Sequence, residues 1–196
     1  MSGPSKLCRK FDISRSDTPR LHTKTVHRDH RGHFAEVWDR SLTLDCWNMQ
    51  QVNHSFSMNG VTRGLHWQVN PYAIGKYVTC VNGVIQDVVV DLRMSSSTFG
   101  YWRAYYLRGR NDLFERDSLW VPHGFAHGFQ VLSETADVVY MQTGLHVPEA
   151  ERSLRFDDPV IGVDWAIDVE GSNFSISDKD RNAPLLSDLS DDDLFF

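Results

Sequence analysis

The sequence predicts an all-β fold, an antiparallel sandwich or barrel with no more than short peripheral helices. Short segments rich in Val, Tyr, Phe and Trp follow one another from about residue 21 to 145, and such side chains suit a pleated, half-buried surface. Glycine-bearing turns such as "VNG", "STFG" and "HGF" separate them. No long segment keeps a 3.6-residue apolar period, so a core-facing helical stripe is missing. Many short strands with turn signals between them make a sandwich or barrel.

Residues 1–20 are polar and irregular and are expected to form a loose or partner-docked arm before a single domain over 21–187. The strand candidates are then "VHRDHRGHFAEVW" (26–38), "MQQVNHSFS" (49–57), "GVTRGLHWQ" (60–68), "GKYVTCVNGVIQDVVVDLR" (75–93) and "FGYWRAYYL" (99–107). "SLWVPHGFAHGFQVL" (118–132) and "ADVVYMQT" (136–143) complete the series. The charged stretch 108–118 reads as a polar loop between two strands. The last residues, 188–196, are acidic with an apolar tip and read as a frayed end or a short surface helix.

With 196 residues, 41% hydrophobic and 23% charged, the chain can bury a core as one domain. A net charge of −6 argues against a nucleic-acid footprint, but leaves room for a small anion held by local cations. No apolar run approaches the roughly 20 residues of a membrane span, and the first residues lack an apolar signal core. Three scattered cysteines, Cys8, Cys46 and Cys80, without CxxC spacing fit a reduced cytoplasmic protein.

The chemistry centres on "GVTRGLHWQ". Arg63 and His66 are three apart, which strand alternation sends to opposite faces. His66 could be a satisfied core histidine, a metal ligand or a base. A metal site lacks its partners: His123 and His127 have helical spacing in a segment too rich in Gly and Pro to be helical. Asp87 and Asp91 share one face of a valine-rich strand, where a carboxylate is expensive unless paired. Gln51 and Asn53, at i and i+2, point the same way. Lys76 opens an apolar strand and could balance a carboxylate, and Tyr140 is a natural proton donor when buried.

Six blocks in order carry a resemblance. "GVTRGLHWQ", "GKYVTCVNGVIQDVVVDLR", "SSTFGYW", "LWVPHGFAHGFQVLSETADVVY", "DDPVIGVDW" and "SISDKD" together resemble the dTDP-4-dehydrorhamnose 3,5-epimerases, sugar-nucleotide epimerases of the cupin superfamily, over about residues 25–187. The resemblance implies a cupin-type jelly roll, a homodimer with strand exchange, no metal or other cofactor, and a dTDP-4-keto-6-deoxyhexose substrate. It implies His66 as catalytic base, Asp180 as its orienting carboxylate, Lys76 as a catalytic cation and Tyr140 as proton donor. It also gives binding positions to Arg31, Glu36, Gln51, Asn53, Arg63, His127, Glu151 and Lys179; Asp87 is a supporting candidate. Leu145 and His146 stand where the family usually has an aromatic pair.

That residue set suits the reaction. A C4 ketone acidifies the protons on C3 and C5, and a histidine removes them without heavy pKa tuning. A nearby ammonium stabilises the enolate oxygen, and inversion needs a second acid on the opposite ring face. Arg31 and Arg63 offer guanidinium forks to a diphosphate. Rival readings are a single-centre epimerase, one using a GDP- or CDP-linked sugar, and a non-catalytic sugar-nucleotide-binding cupin. If Arg63 and His66 serve one ligand, the strand must bulge or bend at Gly64, the residue that tolerates it most cheaply.

Overall fold

A computed structural model describes residues 17–39, 49–109, 114–171 and 173–196. Twelve strands make two sheets: β1 (Arg20–Asp29), β2 (Gly32–Ala35), β3 (Gln51–Met58), β4 (Val61–Gln68), β5 (Lys76–Asn82), β6 (Val84–Asp91), β7 (Trp102–Arg108), β8 (Glu115–Val121), β9 (Phe125–Val131), β10 (Thr135–Gln142), β11 (Glu151–Ser153) and β12 (Ser175–Ile176). The first sheet has the order β2-β1-β8-β5-β10-β3 and the second β11-β4-β9-β6-β7, with β12 added to β4. Neighbours pair antiparallel except β12, which runs parallel to β4. One four-residue helix, α1 (Asp178–Arg181), and three short 3-10 turns complete the described residues. The architecture is the expected antiparallel jelly roll.

The core lies between the sheets. Val78, Cys80, Leu119 and Val138 from the first sheet meet Ile85, Val89, Leu107 and Phe129 from the second. The second sheet is covered on its other face too. Leu65, Trp67, Val88 and Val90 pack there against Leu154, Phe156, Ile161, Trp165 and Phe195 from the chain after residue 147. Burial on both faces explains why β6 reads as almost unbroken valine: every residue from Ile85 to Asp91 is buried. The two carboxylates on that strand are both paired. Asp87 meets His127 at 2.9 Å, and Asp91 takes bonds from Arg93, Ser96 and Thr98.

One expectation is corrected and another is half met. Residues 115–118 are not loop: they begin β8, which pairs with β1 from Arg20↔Trp120 to Thr25↔Glu115. Glu115 is exposed and the half-buried Asp117 carboxylate accepts from Thr23 Oγ1 at 2.7 Å, while Arg116 is buried. Residues 110–113, the rest of that stretch, lie outside the described residues. The acidic end, expected as a frayed end or a short surface helix, does not fray and carries a 3-10 turn over Asp191–Asp193. Phe195 is 4% exposed and bridges the backbone beside Arg93, because the outer face of the second sheet leaves an apolar gap that it fills. The expected arm falls mostly outside the described residues. Its last members are ordered, with Asp17 joined to Arg93 at 3.1 Å.

Candidate active site

A cavity of about 650 Å³ opens between the two sheets. The second sheet contributes Arg63 and His66 from β4 and His127 from β9; the first contributes Gln51 and Asn53 from β3, Lys76 from β5 and Tyr140 from β10. Glu151 on β11 and Lys179 and Asp180 on α1 close the wall. Ten of the residues singled out in the sequence therefore share one space, with Asp87 directly behind His127.

Gly64 resolves the face problem. Arg63 pairs with Phe129 and His66 with His127, so three steps on β4 span two on β9 and the register slips between them. That is a β-bulge. Gly64 has φ +109°, and a Cβ there would lie 2.7 Å from both the Gly128 Cα and the His127 carbonyl oxygen. Gly128 answers it, since its own Cβ would meet the Arg63 carbonyl at 2.6 Å. Only a pair of glycines permits this approach, and it turns Arg63 and His66 into the same cavity.

Asp180 reaches His66 from α1. Its Oδ1 lies 2.6 Å from His66 Nε2, and Oδ2 accepts the Gly64 backbone N–H at 3.3 Å. Burial opposes ionisation of Asp180, but the His66 bond and charge, the Gly64 N–H and Ser177 outweigh it and hold its pKa below the usual carboxylate value. An ionised carboxylate only accepts, so Nε2 carries the proton and Nδ1 is left as the basic nitrogen. Ser177 caps α1 by accepting the Asp180 N–H at 3.1 Å. Ser177 is a functional residue that went unnamed from sequence, although Ser-x-x-Asp is a capping spacing that marks a helix start.

The opposite wall is polar and ordered. Gln51 Nε2 donates to Asn53 Oδ1 at 2.8 Å, and Asn53 Nδ2 donates to Gln142 Oε1 at 3.2 Å. Gln142 was also missed; it looks like a strand-end residue in sequence, yet it lies opposite Gln51 in one register and Lys76 in the other. Burial lowers the Lys76 pKa to about 8, against the pull of Glu151 and Asp87. Burial also raises the Tyr140 hydroxyl, opposed by the Arg63 charge and aided by Glu151. Glu151 bonds Lys179 at 2.9 Å. His146 lines the cavity and donates its backbone N–H to Gln51 Oε1 at 2.8 Å, while Leu145 is 59% exposed.

Arg31 and Glu36 are the exceptions. They sit on or beside the β1–β2 hairpin at the far edge of the first sheet, away from the edge formed by β10 and β3. Arg31 pairs with Asp29 at 2.5 Å and Glu36 with Lys24 at 3.3 Å, so neither reaches the cavity of its own chain. Among the described residues no group of three His, Cys, Asp or Glu is arranged to hold a metal ion, and no helix is long and apolar enough to cross a membrane.

The model for the dTDP-4-dehydrorhamnose 3,5-epimerase family matches residues 18–188. The chain belongs to that family. It is 41% identical over 161 residues to the dTDP-4-dehydrorhamnose 3,5-epimerase of Shigella flexneri, covering 80% of this chain and 84% of the relative. Against the Mycobacterium tuberculosis enzyme of the same name identity is 40% over 171 residues, 85% and 82% of the two chains. Among solved structures, the epimerase of Legionella pneumophila in complex with dTDP-4-keto-L-rhamnose superposes with a TM-score of 0.81 at 36% identity, covering 89% of this chain and 92% of that one. This family member is thus an isomerase of the sugar-nucleotide epimerase class.

The depressed Asp180 pKa has a sign. A carboxylate held lower in the folded than in the unfolded chain stabilises above the unfolded value, about 3.9, and that contribution is lost as pH falls through the folded value. Asp180→Asn is therefore expected to lower stability by about 2 kcal/mol near pH 7, with the gap to the parent closing at acid pH. Urea midpoints measured across that range check both the sign and the closing.

Proposed function

We propose that the chain inverts C3 and C5 of a dTDP-4-keto-6-deoxyhexose. The observation that carries this reading is the His66–Asp180 pair on one wall of the cavity, with Tyr140 and Lys76 on the sheet opposite. His66 Nδ1 takes the proton from a carbon next to the ketone, and the electron pair delocalises onto the C4 oxygen. Asp180 stabilises the imidazolium that forms. Lys76, still mostly charged at pH 7, bonds the enolate oxygen in a site where water is scarce. Tyr140 returns a proton from the other sheet, hence to the other ring face, and the configuration inverts.

Binding residues follow from charge and reach. Arg63, held by Ser57 Oγ at 3.0 Å, offers its fork to the diphosphate, and Lys179 adds a second cation. Gln51 and Asn53 present amides to the base, and His127, anchored by Asp87, stands beside His66. No metal or organic cofactor has a role in this scheme.

The active unit is a homodimer in which the β1–β2 hairpin serves the partner's cavity. That assignment gives Arg31 and Glu36 the binding role that their own chain denies them. Apolar surface on both parts of the first sheet supports it: Phe34 and Phe114 near the hairpin are 70% and 73% exposed, and Val52, Phe56 and Met58 lie open on the edge strand β3. A cytoplasmic setting suits the buried free thiol of Cys80.

Incubation in D₂O with dTDP-, GDP- and CDP-linked 4-keto sugars, followed by NMR, tests the reaction. Deuterium is expected at both C3 and C5 of the dTDP sugar; label at one carbon alone would mean a single-centre epimerase. His66→Ala is expected to lower exchange by about 10²–10⁴-fold, and exchange that survived intact would remove His66 as the base. For Lys76, kcat/KM is expected to decline above about pH 8, where the free enzyme's ammonium loses its charge. Lys76→Arg should move that alkaline limb upward whatever it does to the maximum rate. For the dimer, mixing His66→Ala with Arg31→Ala chains should recover activity that neither has alone, since one cavity per mixed dimer would be intact. No recovery on confirmed subunit exchange would rule out the shared site.

A further inference from the structure

The segment Ser190–Phe196 carries three consecutive aspartates and lies past residue 188, where the match to the family model ends. It packs on the back of the wall that holds the candidate base. His66 on β4 and Glu151 on β11 line the cavity. Successive side chains on a strand point to opposite faces, so their neighbours Trp67 and Arg152 face outward, where the two are cross-strand partners. Trp67 packs in the outer apolar cluster, and part of it also borders the cavity.

Asp193 ties these two outward residues together. Its carbonyl oxygen accepts the Trp67 Nε1–H at 2.8 Å, and its Oδ1 accepts from Arg152 Nε at 2.5 Å. Oδ2 is held by Ser190, through the backbone N–H at 3.0 Å and the hydroxyl at 2.7 Å, so the carboxylate is locked in orientation. The segment is anchored beyond Asp193 as well. Phe195 donates its N–H to the Leu92 carbonyl at 3.2 Å and accepts the Met94 N–H at 2.7 Å. β11 needs such help: it is a three-residue edge strand whose sheet neighbour is β4. Arg152 spreads the restraint by bonding the Glu149 and Glu151 carbonyls, each at 3.0 Å.

We propose that Asp193 is a positioning residue of the site, bracing β4 and β11 from behind so that His66 keeps its place against Asp180 and Glu151 its place against Lys179. A strand cannot rotate on one face without rotating on the other, so fixing residues 67 and 152 outside fixes 66 and 151 inside. The proposal rests on the reading of His66 as the base, and one of its measurements does not need turnover.

In the full chain, the short His66–Asp180 bond is expected to give a far-downfield imidazole proton resonance, assigned by its loss in Asp180→Asn. In Asp193→Ala that resonance should move upfield or broaden away. The kcat should fall about tenfold, as small misplacements of reacting groups do, while affinity for dTDP changes by less than about twofold. Asp193→Asn keeps an oxygen for Arg152 and should restore both. Trp67→Phe removes the indole N–H with little change in ring packing; it should act in the same direction, and it serves if Asp193→Ala does not fold. A parent-like resonance and kcat per folded molecule in a folded variant would overturn the proposal. So would parallel losses of kcat and dTDP affinity that track the folded fraction, the signature of a merely structural tail. If the resonance responds to Asp193 but the parent exchanges no proton on any 4-keto sugar nucleotide, the positioning role stands and the epimerase reading fails.

Discussion

The site depends on how closely β4 and β9 approach at Gly64 and Gly128. A Cβ on either residue would lie within 2.7 Å of the other strand's backbone, far inside van der Waals contact. That approach makes room for one extra residue on β4, and the extra residue turns Arg63 and His66 into a common space. It also aims the Gly64 N–H at Asp180, so the bulge that sets the direction of the histidine helps to ionise the carboxylate that orients it. A regular strand here would still fold a sandwich. It would place the cation and the imidazole on opposite sides of a sheet.

Around that bulge the buried charges are arranged in pairs of different reach. Asp87 with His127 and Asp180 with His66 put two histidine–carboxylate pairs on neighbouring strands. Asp91 with Arg93 does the same at the other end of β6, where it fastens the beginning and the end of the described chain instead of building a site. Similar chemistry on one strand thus serves two purposes. A carboxylate that meets a fixed guanidinium is structural ballast, while one that bonds one nitrogen of an imidazole at the cavity wall leaves the other nitrogen outside that bond. Lys76 sits between these regimes, with burial pushing its proton off and Glu151 and Asp87 drawing it back.

Much of this was legible in the sequence, and the reasons differ by residue. The strands were readable because β-branched and aromatic runs alternate with glycine turns. The bulge was readable because two residues with one purpose were separated by an odd number and a glycine. Asp180 could be named only through the ordered family blocks, since nothing local links it to a histidine 114 residues away. Ser118 and its neighbours were misread because six charged residues in 108–118 look solvated, whereas 115–118 pair with β1 on one side and β8 meets β5 on the other, which buries Arg116 and Ser118. The acidic end was half read: Asp191–Asp193 make the short surface turn that was one of its two expected forms, but the segment does not fray. Its aspartates suggested solvent, while Phe195 and the Asp193 carbonyl, which charge does not describe, decide where it lies. Arg31 and Glu36 were named by pattern alone, and in this chain they lie at the far edge of the first sheet, away from the cavity.

The separation between His66 and Asp180 has a consequence in time. His66, the proposed base, lies on β4 and Asp180 on α1, beyond every described strand of both sheets. During synthesis the sheets can pair while α1 is still inside the ribosome, and contacts of such long range are slow to form. Until α1 emerges, the nascent chain holds a cavity and a histidine, but its imidazole lacks the partner that chooses which nitrogen carries the proton. The His66–Asp180 pair is therefore completed late, after the sheets are built, and an incompletely made chain is a jelly roll whose His66 has no carboxylate beside it.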